Sequence, residues 1–225
     1  MKTISVIIPT LNEDDNIEGL LSYLRELDST IELIVADGGS IDGTVERAKY
    51  HARIVNADRG RGQQMNVGAK KAAGEILWFI HADCLPHQDS VKAMRRIVQN
   101  DAVVGGAFEY NLDGKGFLYR RTEFNSNIKN KVFKLFFGDM GIFVRRDIFQ
   151  EMGGYKEIPL MEDMDFCKRL KKKGKIVILP QRINTSARRW EDEGKIKNLV
   201  RNWLLQIGWM FGVDPKILAK WYQFK

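Results

Sequence analysis

Strand and helix signals alternate through the first half of the chain, and this alternation restricts the available folds more than any other feature. Residues 3–8 form a β-rich apolar run stopped by Pro9. Asn12 and the acidic cluster Glu13-Asp14-Asp15 then start a helix, because a helix N-terminus favours capping side chains and negative charge. Within it Ile17, Leu20, Leu21, Leu24 and Leu27 recur at helical spacing and mark one apolar face. A second strand over 31–36 runs into Asp37-Gly38-Gly39-Ser40, and a helix follows from position 42. A short strand at 53–56, a Gly-rich loop, a helix over 65–73 and a strong strand at 75–80 extend the pattern. Such alternation predicts an α/β fold: right-handed βαβ units around a mostly parallel central sheet flanked by helices. Ligands of these sheets sit beyond the C-terminal strand ends, where Thr10 and Asn12, Asp37, and His81 to Asp83 fall.

The second half is less regular. Strands are expected at 102–109, 142–145 and 175–179, and a helix with an acidic start and a basic end over 161–172. The stretch from Gly105 to Lys134 is expected to contribute the loops that choose the substrate. Apolar and charged contents of 44% and 29% suit a folded soluble protein and exclude disorder or a multi-span membrane protein. Cys84 and Cys167 offer neither a disulfide framework nor a CxxC pair, which fits a reducing compartment. The apolar run after Lys2 is too short for a signal-peptide core, so a cytoplasmic location is expected.

Four groups of residues carry candidate chemistry. Asp83, at the exit of a buried strand, suits a hard divalent cation, Mg²⁺ or Mn²⁺, or else caps the next turn. Asp37 suits a nucleotide's base or ribose, or else shapes an Asp-Gly-Gly turn. The loop Asp58-Arg59-Gly60-Arg61-Gly62-Gln63-Gln64 offers backbone N–H groups and two arginines to phosphate, without the order of either common phosphate-binding Gly-rich motif. Glu162-Asp163 at a helix start supplies a general base, or else complements the helix dipole.

Taken together these groups resemble the family 2 glycosyltransferases, whose nucleotide-sugar-binding fold is called GT-A. Val6 to Glu13 is similar to their first strand and "PxxNE" exit, and Val35 to Thr44 to their "DDGSxDGT" segment. Asn66-Val67-Gly68 to Ala73-Gly74-Glu75 resembles the "NxG…AxGE" lead into the metal strand, and His81-Ala82-Asp83 occupies the "DxD" position. Glu162-Asp163 matches the "ED" pair and Gly138-Asp139-Met140-Gly141 the acceptor-side glycine motif. The "HAD" triplet, Ser186-Ala187-Arg188-Arg189-Trp190 and Gly212-Val213-Asp214-Pro215 resemble a small bacterial subgroup.

The resemblance implies inverting transfer of a sugar from a UDP- or GDP-type donor to a hydroxyl acceptor. It implies that Pro9, Thr10, Asn12, Glu13 and Asp37 line the nucleotide pocket, with Gln64 and His81 nearby. It implies that Asp83 holds the metal, that Asp163 is the general base with Glu162 beside it, and that Arg189, Arg59 and Arg61 stabilise the leaving diphosphate. Gly138, Asp139 and Trp190 would stand on the acceptor side. One GT-A domain is expected over 1–190, with a nucleotide-binding half at 1–100 and an acceptor-binding half at 101–190. A helical extension at 191–225 follows. His81 departs from the family's carboxylate and would touch ribose or metal, or cap the strand. Ser186 stands where processive relatives have Gln, which argues against a polysaccharide synthase.

The net charge of +7 is uneven: from Lys168 onward there are 15 Lys or Arg against 4 acidic residues. An amphipathic helix is expected over 195–213, and its core, Trp203 to Phe211, is about half the length needed to cross a bilayer. Packing on the domain or on a second subunit is the expectation, and an interfacial helix that meets a lipid-linked acceptor is the alternative. A nucleotidyltransferase would place its Gly-rich loop after the first strand, not the third. A nucleic-acid-binding module would interleave aromatic with basic residues, so nucleic acid is not an expected partner. A non-catalytic nucleotide-binding protein would have little use for both Asp83 and Asp163.

Overall fold

The apolar run after Thr3 becomes a strand buried along its whole length, as a strand covered on both faces must be. The computed structural model describes residues 2–222, and the side chain of Arg189 lies outside that description. In chain order the elements are β1 (Ile4–Thr10), α1 (Asp14–Leu27), β2 (Glu32–Asp37), α2 (Thr44–Ala48), β3 (Arg53–Asn56) and α3 (Arg61–Lys71). Next come β4 (Ile76–Phe79), β5 (Cys84–Pro86), α4 (Ser90–Ile97), β6 (Val103–Asp113) and α5 (Phe117–Phe133). A 3₁₀ turn, Gly138–Met140, leads into β7 (Ile142–Arg145), α6 (Arg146–Glu151), α7 (Glu162–Leu170) and β8 (Lys175–Ser186). Three helices close the chain: α8 (Arg188–Glu193), α9 (Lys195–Met210) and α10 (Pro215–Tyr222).

The strands form one sheet in the order β3-β2-β1-β4-β7-β6-β8-β5. β1 pairs in parallel with β2 and with β4, β2 with β3, and β6 with β8. β7 is antiparallel to both of its neighbours, and β5 to β8. The period of two along β1 and β4 divides the core between the two faces of the sheet. Ile7, Leu77 and Phe79 join α3 and α7 through Met65, Ala69 and Phe166. Val6, Ile8 and Trp78 join α1 and α4 through Leu20, Leu24 and Met94. Gly68 permits the close seat of α3 on β1, since a Cβ there would come 2.5 Å from Ile7 Cγ2.

Three sequence expectations need correction. Residues 105–134 are not loops: they continue β6 to Asp113 and then form the 17-residue helix α5. β6 and β8 run past 109 and 179 because their polar residues alternate with buried ones, Tyr110 and Leu112 on β6 and Ile183 and Thr185 on β8. The amphipathic stretch is helical over Lys195–Met210, but of its residues only Asn198 and Leu205 are buried. Leu205 and Trp209 pack against Leu160, Met161 and Met164 as expected, while a second stripe, Ile196, Val200, Trp203, Ile207 and Met210, stays exposed. No helix among the described residues is long and apolar enough to cross a membrane.

Candidate active site

Two polar regions form at the C-terminal ends of the strands. The first joins the exits of β1 and β2. Asp37 is 4% exposed, and its carboxylate accepts from the Gly39 and Ser40 N–H groups at 3.0 and 2.8 Å. The Thr10 and Ser40 hydroxyls donate to the same carboxylate at 3.1 and 2.5 Å. The Asn12 N–H donates to Ser40 Oγ at 2.9 Å, and Asn12 Oδ1 accepts from the Ile41 N–H at 2.9 Å. Asn12 holds φ at 55°, a left-handed conformation that Asn tolerates better than most residues. Buried Gln64 donates to the Thr10 and Ala36 carbonyls at 2.7 and 3.0 Å, tying α3 to both strand ends. Asp37 and Gln64 therefore visibly shape the two loops, and Pro9 is buried in register with Ala36 beneath them.

The second region surrounds a cavity of about 910 Å³. His81 and Asp83 line it from the exit of β4, in a turn held by the Cys84 N–H on the His81 carbonyl and the Ser186 N–H on the Asp83 carbonyl, both at 3.1 Å. Gly138 and Asp139 line it from the 3₁₀ turn, where the Thr185 hydroxyl donates to the Asp139 carbonyl at 3.1 Å. Position 138 has room only for glycine, because a Cβ would lie 2.6 Å from the His81 ring. Asp163, in the first turn of α7, lines the cavity and accepts from the Gly138 N–H at 2.9 Å and the Met164 N–H at 2.7 Å. Just before it, Met161 holds φ at 66°, a conformation costly for a side chain without a local polar partner.

Glu162 and Arg61 form the support beneath this region. Glu162 is 2% exposed and receives Arg61 Nε at 2.8 Å, so the start of α3 is bound to the start of α7. Burial opposes the Arg61 charge, but the facing Glu162 carboxylate and then Asp163 hold the guanidinium above its ordinary pKa. Arg61 also lines the cavity, whereas Arg59 is exposed in the preceding loop. Trp190 lines the cavity from α8, edge-on to Tyr119 with ring centroids 6.3 Å apart. Arg189 lies on α8, and its side chain is outside the described residues.

Three carboxylates, Asp83, Asp139 and Asp163, line the cavity and act on one another. Burial first, then the Asp163 and Asp83 carboxylates, push the Asp139 pKa up to about 7. Among the described residues Asp83, Asp139 and Asp163 have no ion-pair partner. Burial, then the Arg61 charge, holds the His81 imidazole below its usual value, so it is neutral at pH 7. Burial also raises Glu13, which accepts from Asn16 Nδ2 at 2.8 Å and lies within electrostatic reach of Asp83. His81, Asp83 and Cys84 offer ligand atoms within 4.8 Å of one another. The Cys84 thiol is held well above its ordinary pKa by burial and lies 3.5 Å from the Thr185 hydroxyl, so it stays protonated and suits a hard cation poorly. Asp83, with neutral His81 beside it, suits one.

Sequence reasoning missed part of the cavity lining. Tyr110 on β6, Thr122 and Lys129 on α5, and Asn198 on α9 also line it. The signal in α5 was its polar residues Arg121, Thr122, Asn125 and Lys129, which recur at helical spacing and line the cavity.

Comparison with known proteins places this arrangement. Residues 5–153 match the family model for Glycosyl transferase family 2. The glycosyltransferase AglE of Haloferax volcanii is 29% identical over 172 residues, covering 68% of this chain and 55% of the relative. A PGL/p-HBAD biosynthesis glycosyltransferase of Mycobacterium bovis is 30% identical over 176 residues, covering 72% of this chain and 67% of the relative. The chain thus spans only about half to two thirds of the length of these relatives. Among solved structures, the mannosyltransferase PcManGT of Pyrobaculum calidifontis, in complex with GDP-Man and Mn²⁺, superposes with a TM-score of 0.66 at 20% identity. That match covers 81% of this chain and 56% of the other, and it establishes the GT-A fold. The chain belongs to glycosyl transferase family 2.

Proposed function

We propose that the chain transfers a sugar from a nucleoside-diphosphate sugar of UDP or GDP type to a hydroxyl acceptor, inverting the anomeric carbon, in the cytoplasm. The observation that carries this reading is the convergence of Asp83 and Asp163 on one cavity from two separate elements. Asp163 takes the proton of the acceptor hydroxyl as its oxygen attacks the anomeric carbon. The bond from that carbon to the diphosphate oxygen breaks, and the nucleoside diphosphate leaves with the bonding pair. The N–H groups of Gly138 and Met164 orient the Asp163 carboxylate for this step. Glu162 acts by positioning: bound to Arg61, it fixes the start of α7 rather than moving a proton.

A divalent cation, Mg²⁺ or Mn²⁺, suits Asp83, with His81 as a neighbouring neutral ligand or ribose contact, and would supply positive charge opposite the departing diphosphate. Arg61 supports the same charge, and Arg189 and Arg59 are proposed to join it when donor binds. The loops bearing Pro9, Thr10, Asn12, Glu13 and Asp37 form the base and ribose wall through the backbone they hold in place. The donor half is 1–100 and the acceptor half 101–190, with Gly138, Asp139 and Trp190 on the acceptor side and 191–225 as an extension. We propose, from the resemblance of its "HAD" and "SARRW" segments, that the chain belongs to a small bacterial subgroup.

A thermal-shift screen of UDP, GDP, CDP and dTDP, each with Mn²⁺ and with EDTA, tests the proposal. A ligand at 100 times its dissociation constant stabilises a fold by about 2.7 kcal/mol, which reads as a raised midpoint. The expected result is a rise with UDP or GDP that EDTA removes. Equal midpoints with and without every nucleotide would refute the donor site.

A further inference from the structure

The exposed faces of α5 and α9 carry apolar stripes that nothing in the described structure covers. On α5 the stripe is Phe117, Phe124, Ile128 and Val132, with Phe124 66% exposed. On α9 it is Ile196, Val200, Trp203, Ile207 and Met210, at spacings of four, three, four and three. Trp203 is 62% exposed, and Phe211, one residue past the helix, is 86% exposed. Ile217 and Trp221 extend the surface onto α10. Monomeric soluble proteins rarely leave apolar patches of this extent open.

Three observations join these stripes into one surface around the cavity. Lys129 on α5 donates to Gln206 Oε1 on α9 at 2.6 Å, bridging the two helices. The cavity passes between them and is bordered by Phe117 on one side and by Val200, Trp203 and Leu204 on the other, all of them exposed. Leu204 also meets Trp221 of α10 across a shallower groove.

Charge decides what covers this face. The two segments that carry it, 114–134 and 195–222, hold eleven Lys or Arg and two acidic residues. Of those two, Glu123 is buried and paired with Arg120 at 3.0 Å, and the Asp214 carboxylate accepts from the Lys216 N–H at 2.8 Å at the start of α10. A twofold contact with a second copy would press this positive surface against itself. An anionic bilayer supplies the complementary charge and an apolar layer for the aromatic side chains.

We infer that the α5–α9–α10 face docks on an anionic lipid surface, with the mouth of the cavity turned toward the bilayer. The acceptor then reaches Asp163 from the membrane, as a hydroxyl-bearing group carried on an amphiphile. That last step rests on the proposed sugar transfer; the docking does not.

Co-sedimentation of the full chain with vesicles tests the docking, without donor or metal. Vesicles of phosphatidylcholine alone are compared with vesicles of equimolar phosphatidylcholine and phosphatidylglycerol, at low and at high salt. The chain should sediment with the anionic vesicles, and salt should weaken that binding. Phe124→Glu combined with Phe211→Glu should lower partitioning by about tenfold or more, since both side chains would enter the interface and neither lines the cavity. Lys197→Glu combined with Lys216→Glu should lower partitioning to anionic vesicles alone. An unchanged nucleotide-dependent thermal shift in both double variants shows that they fold and separates this outcome from failure of the donor site. No sedimentation of the wild type with anionic vesicles would overturn the inference, as would partitioning that ignores both double variants. A concentration-dependent dimer that the Phe124→Glu and Phe211→Glu pair dissociates would overturn it too, by identifying a second copy as the occupant.

Discussion

The two polar regions at the strand ends use the same residue types in opposite ways. Where β1 and β2 end, Asp37, Thr10, Asn12, Ser40 and Gln64 are bonded to one another or to nearby backbone. Around the cavity, Asp83, Asp139 and Asp163 gather without an ion-pair partner among the described residues, and burial with mutual repulsion drives the Asp139 pKa to about 7. The first arrangement holds a shape; the second accumulates negative charge that a cation would relieve. An aspartate in a family-like motif can thus hold a loop in shape as Asp37 does. What separates the two cases is how fully the chain satisfies the carboxylate: Asp37 accepts four hydrogen bonds and Asp163 two.

The largest expected difference between the regions is chemical. Asp163→Asn should lower turnover by about 10²–10⁴-fold, because a positioned base typically contributes that much. Release of nucleoside diphosphate from a sugar nucleotide, with water as acceptor, measures this without knowledge of the natural acceptor. A variant within twofold of wild type would remove Asp163 from the reaction.

Next comes the support under the acidic site. Arg61→Met leaves Glu162 buried without its partner, and should cost on the order of 2–4 kcal/mol, on the lower side because Arg61 is partly exposed. Urea denaturation reads the loss. Equal stability would mean that the two helix starts are held by packing alone.

A smaller effect is expected at the other region. Gln64→Ala leaves the Thr10 and Ala36 carbonyls without their side-chain donor, and should cost about 1–3 kcal/mol. The same variant should weaken nucleotide binding, since the loop backbone it holds is the proposed base wall. Weak nucleotide binding with full stability would instead make Gln64 a direct contact and erase the contrast between the regions.

The smallest effect is a pH dependence. The folded chain holds the Asp139 proton up to about pH 7, well above the ordinary carboxylate range. Stability from that proton is therefore complete below the ordinary value of 3.8 and is lost as pH rises from there through about 7. In EDTA, the wild-type midpoint should fall by a few degrees between pH 5 and pH 8 relative to Asp139→Asn. Parallel curves would show that Asp139 is not under pressure from its neighbours.

The parallel half of the sheet was legible because its strands are continuous apolar runs punctuated by Pro9, the glycines after Asp37 and the 58–64 loop. The second half was less so, for a physical reason. In β6 and β8 the buried residues alternate with polar ones such as Asn111 and Asn184, so the strands outlast their apolar runs. The α5 sequence reads as loops because Asn125, Ser126, Asn127 and Asn130 dilute its apolar periodicity. Asp83 and Asp163 were visible as motif members, but that they share a cavity follows from the pairing of β4 with β7, which no local pattern encodes. That Glu162 would be held by Arg61, 101 positions away, was equally out of reach.

Calorimetric titration of UDP and GDP into the wild type, Asp83→Asn and Asp163→Asn, each with Mn²⁺ and with EDTA, tests the central claim most directly. The account predicts Mn²⁺-dependent binding that Asp83→Asn loses and Asp163→Asn keeps. Binding that survives Asp83→Asn with the same dependence on Mn²⁺ would contradict it.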